Sequence, residues 1–243
     1  MKVLFLDIET TPMQAYTWGL WDQNIGINQI IKSTEMMCFG ARWLGQKKVH
    51  FKSVHHHGKE EMLNHLYDMM DQADILVGWN SAAFDHKHIN REFLEAGFTP
   101  PSPTKDLDLM SVVKSNFKFP SNKLDYVAQR LGVGAKVQHS GFQLWIDCMD
   151  GKSKAWAEMK KYQIQDVDLL VDLYDILLPW ADGPNLPAYN ALEQACVACG
   201  SHNLEERGVS VGTTGSYPRY LCLDCGKWSR STKSISTTDM TNA

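Results

Sequence analysis

Asp7 and Glu9 stand two residues apart where the apolar run Lys2-Val3-Leu4-Phe5-Leu6 ends. Such a run, stopping at a carboxylate, reads as a buried strand that delivers the acidic group at its end. Residues i and i+2 of a strand share a face, so Asp7 and Glu9 project together while Ile8 goes to the opposite side. Two anionic side chains pressed together at a buried strand end repel each other and are costly unless cations sit between them. Magnesium and manganese are the natural cations, because hard ions prefer oxygen ligands. Asp85, at the start of a helix, and Asp166, inside a late helix, offer further carboxylates from distant segments. Tyr162 precedes Asp166 by four residues, which puts both side chains on one helical face. Asp168 and Asp172 leave that face by helical phase or by a further turn and read as solvated charges. Taken singly, an Asp-x-Glu is more often a plain strand-end pair and a tyrosine at this spacing a packed amphipathic residue.

A second kind of chemistry sits near the C-terminus. Cys196-Val-Ala-Cys199-Gly and Cys222-Leu-Asp-Cys225-Gly are near-identical knuckles separated by 22 residues, close to the four-cysteine spacings of tetrahedral zinc sites. The glycine after each second cysteine permits the tight turn that aims backbone amides at thiolate sulfur. One structural zinc is expected, since about 35 residues cannot build a core alone. Cys38 and Cys148 read as small buried thiols. Arg207, Arg219, Lys227 and Arg230 are offset by Glu205, Glu206 and Asp224, while Tyr217, Tyr220 and Trp228 offer faces on which bases could stack. Binding of a substrate strand and docking of a protein stay open for this segment.

Three motifs, in order, resemble the DEDD family of 3′-to-5′ exonucleases. They are Leu6-Asp7-Ile8-Glu9-Thr10-Thr11-Pro12, then Trp79-Asn80-Ser81-Ala82-Ala83-Phe84-Asp85, then Tyr162-Gln163-Ile164-Gln165-Asp166. The third is similar to the subgroup that uses tyrosine rather than histidine. The resemblance implies that Asp7, Glu9, Asp85 and Asp166 hold two magnesium or manganese ions and that Tyr162 orients the attacking water. It implies hydrolysis of phosphodiester bonds at the 3′ end of a single or frayed strand, DNA before RNA. Thr10, Asn80, Phe84 and Lys123 are the candidates for contact with substrate. Asn80 could equally fix the Asp85 loop, and Lys123 could simply be an exposed lysine. Lys114, Lys118, Lys123, Arg130 and Lys136 leave residues 114 to 136 locally basic, a sign of a strand-binding surface.

The elements that must position these groups follow from periodicity. Met36 to Leu44 and Lys48 to Ser53 predict strands around Gly45-Gln46, and Glu60 to Met70 has helical apolar spacing. A strand over 74 to 79, a helix over 83 to 96 ending at Gly97, and a short strand at 106 to 109 come next. Helices over 122 to 131 and 153 to 178 complete the pattern. The order predicts an α/β mixed sheet with helices on its faces. The resemblance implies that this sheet is RNase H-like, and the knuckles add a small zinc ribbon. We expect the nuclease domain over 1 to 180, a linker over 181 to 193, the ribbon over 194 to 229 and an unfolded Ser/Thr-rich tail over 230 to 243. His55-His56-His57 reads as a solvent-exposed loop. Residues 12 to 35 carry no pattern of this kind, but could flank the site as a substrate loop.

Bulk properties restrict the function classes. With 44% apolar and 21% charged residues among 243, the chain is ordinary for a globular protein. A net charge of -4 argues against binding nucleic acid by charge alone, yet a carboxylate metal site pulls net charge down by itself. No apolar stretch approaches the roughly 18 to 20 residues of a membrane helix, and acidic residues follow the start too soon for a signal peptide. The expectation is a cytoplasmic protein with no membrane partner, whose ribbon serves a strand or a replication or repair protein. Its alternatives are an RNA exonuclease and a non-catalytic adaptor. An adaptor would readily lose one of the four carboxylates or Tyr162, and here all five are present.

Overall fold

A computed structural model describes residues 1–137, 139–190 and 194–240. Residues 191–193 of the expected linker and 241–243 of the expected tail lie outside them. The chain divides into two units, residues 2–173 and residues 174–243 with Met1.

In the first unit, β1 (Val3–Thr10) is followed by the short pair β2 (Gln14–Ala15) and β3 (Ile30–Lys32), then β4 (Met36–Trp43) and β5 (His50–Ser53). Next come α1 (Val54–His57), α2 (Lys59–Gln72), β6 (Ile75–Gly78), α3 (Asp85–Glu95), β7 (Lys105–Asp108), α4 (Leu109–Asn116), α5 (Leu124–Arg130), α6 (Gln143–Met149) and α7 (Ser153–Leu177). The main sheet has the order β5-β4-β1-β6-β7, antiparallel from β5 to β1 and parallel from β1 to β7. It is the mixed α/β sheet flanked by helices expected from the order of elements.

β1 is the central strand, and its alternation divides the interior. Leu4, Leu6 and Ile8 face one way and pack with Met62, Leu63 and Leu66 of α2 and Ile89 and Phe93 of α3. On the other face, Met37 and Cys38 of β4 pack with Leu144 and Cys148 of α6 and with Trp156, Met159 and Tyr162 of α7. Asp7 and Glu9 belong to this second face, where α7 crosses the sheet. Burial of these aliphatic faces, at about 25 cal/mol per Å² of apolar surface, is what fixes the helices in place.

The crossing is unusually close at one point. Gly40 of β4 lies opposite Asp7, and a Cβ built there would come within 2.8 Å of Gln163 Cγ and 3.0 Å of Val167 Cγ2. The absent side chain is thus what lets α7 approach β1.

Three expectations are corrected in this unit. β1 does not stop at Asp7 but runs on to Thr10, because Asp7, Ile8 and Glu9 keep pairing with Gly40, Phe39 and Cys38 of β4. The helix expected from residue 83 starts at Asp85, preceded by a turn in which Asn80 adopts φ 63. The three histidines are not a loop. They form the single-turn α1, capped by Ser53 Oγ, which accepts the His56 N–H at 3.2 Å, and the His55 ring stacks on Trp156 at 5.2 Å.

The second unit contains α8 (Leu186–Asn190), β8 (Leu204–Val211), β9 (Gly215–Cys222), β10 (Trp228–Arg230) and β11 (Ser236–Thr237). β9 organises it, pairing antiparallel with β8 along one edge and with β10 and β11 along successive stretches of the other. Composition had predicted an unfolded tail after residue 229, yet Ser236–Thr237 pairs with Gly215–Ser216. Backbone bonds from Ile235 to Ser216 (2.7 Å) and from Thr238 to Thr214 (3.0 Å), with the Ser216 and Ser236 hydroxyls 2.6 Å apart, hold that strand without apolar burial.

Gly40→Ala tests the close crossing. A methyl group forced against Gln163 should cost about 1–3 kcal/mol of stability, read as a lower urea midpoint. An unchanged midpoint would show that α7 can retreat freely.

Candidate active site

Strand β1 and helix α7 bring three carboxylates together. Oxygens of Asp7, Glu9 and Asp166 all lie within 4.8 Å of one another. Asp166 is 1% exposed, and Tyr162, one turn earlier on the same face of α7, is 6% exposed. Gln163 between them donates from Nε2 to the Asp7 carbonyl at 2.8 Å and to Asp7 Oδ2 at 2.7 Å, tying helix to strand. On Glu9, Oε2 accepts the Trp145 indole N–H of α6 at 3.1 Å.

Asp85 is not in that trio but stands beside it. Pairing of β1 with β6 covers only Val3 to Phe5, so the N–H of Ile8 is left for another acceptor, and Asp85 Oδ1 takes it at 3.1 Å. The turn that delivers Asp85 is tightly built. A Cβ on Gly78 would meet Ser81 Cβ at 2.5 Å, and Asn80, whose residue type tolerates the left-handed region, donates its N–H to Asp108 Oδ1 at 2.9 Å.

One cation of the protein's own occupies the site. Lys136 Nζ contacts Asp166 Oδ2 and the Tyr162 hydroxyl, the latter at 2.8 Å, and lies 4.8 Å from the Tyr162 ring centre. The sequence had grouped Lys136 with a locally basic stretch over residues 114 to 136; the fold makes it the counter-ion of Asp166 as well. Asp166 Oδ1, by contrast, is buried with no hydrogen-bond partner among the described residues. A buried carboxylate oxygen left bare, within reach of two further carboxylates, suits a hard divalent cation.

Two grooves flank the cluster. One, of about 550 Å³, is lined by Asp7, Trp79, Asn80, Lys114, Lys123 and Lys136. The other, of about 380 Å³, is lined by Thr10, Thr11, His139, Phe142 and Trp145 among others. Of the four candidate substrate contacts, Asn80 and Lys123 therefore share the first groove and Thr10 lies in the second. Phe84 lies in neither; it is 40% exposed and packs on His88 with ring centres 4.5 Å apart.

A sequence profile of the RNase H superfamily matches residues 4–178. The chain belongs to the RNase H superfamily. Among solved structures, it is similar to a family B DNA polymerase from the hyperthermophilic archaeon Pyrobaculum calidifontis, with a TM-score of 0.57 and 16% identity. That likeness covers 73% of this chain but 24% of the polymerase, so the chain spans about a quarter of the length of that protein. No curated protein matches its sequence.

Within this RNase H fold the carboxylates are all displaced upward in pKa. Burial raises Asp7 most, with Asp85, Asp166 and Glu9 adding their charges. Burial also raises Glu9 to about 7, although Lys136 opposes it, and Asp85 to about 7, although the Ile8 N–H opposes it. Asp166 rises through burial in spite of Lys136. Burial alone would lower Lys136, but Asp166 and Tyr162 outweigh it and hold the ammonium charged. Burial and then Asp166 push the Tyr162 hydroxyl up, so at neutral pH it is a neutral donor rather than a base.

Sequence reasoning did not find Gln163, Trp145 or Lys136 as members of the site. Gln163 lies inside the third motif and could have been noticed there. Trp145 and Lys136 carry no local signal, because only the fold brings residues 136 and 145 to β1.

The four cysteines of the second unit also meet. Sulfur atoms of Cys196 and Cys225 are 3.6 Å apart and those of Cys199 and Cys222 are 3.7 Å apart. A disulfide would need about 2.05 Å. A tetrahedron with metal–sulfur bonds of about 2.3 Å has edges of about 3.8 Å, so the cluster fits a zinc ribbon. Gly200 and Gly226, after the second cysteine of each knuckle, sit at φ 74 and 78, and donate to Cys196 and Cys222 carbonyls at 2.9 Å.

Stability without divalent cations should follow the raised carboxylates. The ordinary values for Glu9 and Asp85 are 4.5 and 3.8, whereas the folded protein keeps both protons to about 7. The folded state then binds more protons across that interval, so stability falls as pH rises from about 4 and the loss is complete above about 7. Urea midpoints at pH 5 and pH 8 check this, with a lower midpoint expected at pH 8 and recovery on adding magnesium. A midpoint indifferent to both would contradict a desolvated acidic site.

Proposed function

We propose that this protein is a metal-dependent 3′-to-5′ exonuclease of the DEDD type, tyrosine subgroup, acting on single or frayed strands. The observation that carries this reading is the approach of Asp7, Glu9 and Asp166 within 4.8 Å, with Asp166 Oδ1 unpartnered among the described residues. In this reading Asp7, Glu9 and Asp166 hold two magnesium or manganese ions, with Asp85 completing the set. When bound, such cations lower the pKa of water and stabilise charge on the leaving oxygen.

The chain's own groups supply placement. Gln163 fixes the Asp7 carboxylate and Trp145 fixes that of Glu9, so neither has to reorganise when charge arrives. Tyr162, held neutral beside Asp166, offers its hydroxyl to orient a water. Lys136 keeps that hydroxyl in place and supplies positive charge where phosphate must approach. The groove containing Asn80, Lys114 and Lys123 receives the strand, with Lys114 and Lys123 facing its backbone. Thr10 serves the second groove, and Phe84 contributes by stacking at its exposed face. Similarity to part of a DNA polymerase favours DNA over RNA. The domain limits proposed are 1 to 180 for the nuclease and 194 to 229 for the ribbon, which holds one zinc.

Digestion of 5′-labelled single-stranded DNA and RNA with magnesium or manganese tests the reading. A descending ladder is expected, reduced about a thousandfold in Asp166→Asn and about ten- to a hundredfold in Tyr162→Phe. The faster strand identifies the substrate. Tight binding without cleavage of either strand would favour an adaptor instead. Metal analysis should find one zinc per chain, lost in Cys196→Ser together with Cys222→Ser while the first unit stays folded. Zinc retained in that double variant would place the metal elsewhere.

A further inference from the structure

The ribbon sheet has two unlike faces. On β9, Tyr217, Arg219 and Leu221 point one way by the two-residue period, and Tyr220 points the other. Register carries the first set across to β10, where Trp228 lies opposite Leu221 and Arg230 opposite Arg219. One face therefore presents two rings and two guanidinium groups in alternation.

These four groups engage each other diagonally. The Arg219 guanidinium lies over the Trp228 ring at 5.0 Å, and that of Arg230 over the Tyr217 ring at 4.2 Å. Such stacking fixes the planar cations without consuming their N–H groups. Among the described residues, Arg219 donates from Nε alone, to the Arg207 carbonyl at 3.1 Å, and Arg230 makes one long contact, to the Ser231 carbonyl at 3.5 Å. Trp228 remains 45% exposed. Glu205, opposite Leu221, is already matched by Arg207 at 2.7 Å.

We infer that this face of the ribbon binds single-stranded nucleic acid, the arginines taking phosphates and Trp228 and Tyr217 stacking bases. The pattern of cations interleaved with rings is what a strand of any sequence requires, since every phosphate is anionic and every base has a π-face. A docked protein would instead need an apolar centre, and here each ring carries over one of its two faces a charge that must stay solvated or meet an anion. The face differs from the carboxylate site in residues and in chemistry. It goes beyond the exonuclease reading, because it concerns holding the strand rather than cutting it.

The test is fluorescence anisotropy of a labelled oligodeoxythymidylate with the full zinc-loaded chain, without added magnesium or manganese so that cutting plays no part. Arg219→Gln with Arg230→Gln should weaken binding at least about tenfold and reduce the slope of log affinity against log salt by about 1.4, or 0.7 per phosphate contact. Trp228→Ala should weaken it about tenfold with the salt slope unchanged. Tyr220→Ala, on the opposite face, should bind as the parent does. Zinc content shows whether each ribbon is folded. If the double variant loses zinc, Arg230→Gln alone, which gives up little within the protein, decides with an expected threefold loss and a slope change of about 0.7. Affinities within 1.5-fold of the parent in zinc-loaded arginine and Trp228 variants would overturn the inference and leave the face to a protein. Because binding is read without cleavage, that result would leave the exonuclease reading standing, just as an inactive enzyme that binds through this face would not harm the inference.

Discussion

Charge withdrawn from water is the constraint on which the first unit depends. Asp7, Glu9, Asp85 and Asp166 are each buried enough to resist ionisation, and each makes ionisation of its neighbours harder. A fold concerned only with stability would have filled this place with aliphatic side chains. Instead, the surroundings supply one donor after another: the Ile8 N–H to Asp85, the Gln163 amide to Asp7, the Trp145 indole to Glu9 and the Lys136 ammonium to Asp166. Asp166 Oδ1, which receives no hydrogen bond among the described residues, marks where these compensations stop.

Holding those donors in range is a matter of backbone approach. Gly40 provides it between β4 and α7, and Gly78 provides it at the turn leading into α3. Neither glycine has the positive φ that usually explains the residue; both are there for space. The hydrophobic faces of β1, α2, α3 and α7 supply the energy, while the two glycines determine where it brings the helices to rest.

What could be read from the sequence was what depends on local period. The alternation of Asp7, Ile8 and Glu9, the i, i+4 pair of Tyr162 and Asp166 and the paired Cys-x-x-Cys-Gly knuckles each need only one element's geometry, and each recurs in the fold. The order of strands and helices likewise indicated the mixed sheet. Features decided by partners far along the chain were not legible. β1 runs past Asp7 because β4 pairs with it, the histidine triplet is helical because Ser53 caps it and Trp156 stacks on it, and the tail pairs because β9 has a free edge. Lys136 looked like one lysine among several until the fold set it against Asp166, 30 residues away.

The indole of Trp145 has a use apart from its hydrogen bond. Its N–H points at Glu9, and its ring meets Tyr162 edge-on with centres 6.1 Å apart. An excited indole is sensitive to the field along its dipole, so any change of charge on the acidic cluster alters the colour and yield of its emission. The protein thus carries, in one of its eight tryptophans, an optical reporter set directly against the acidic cluster.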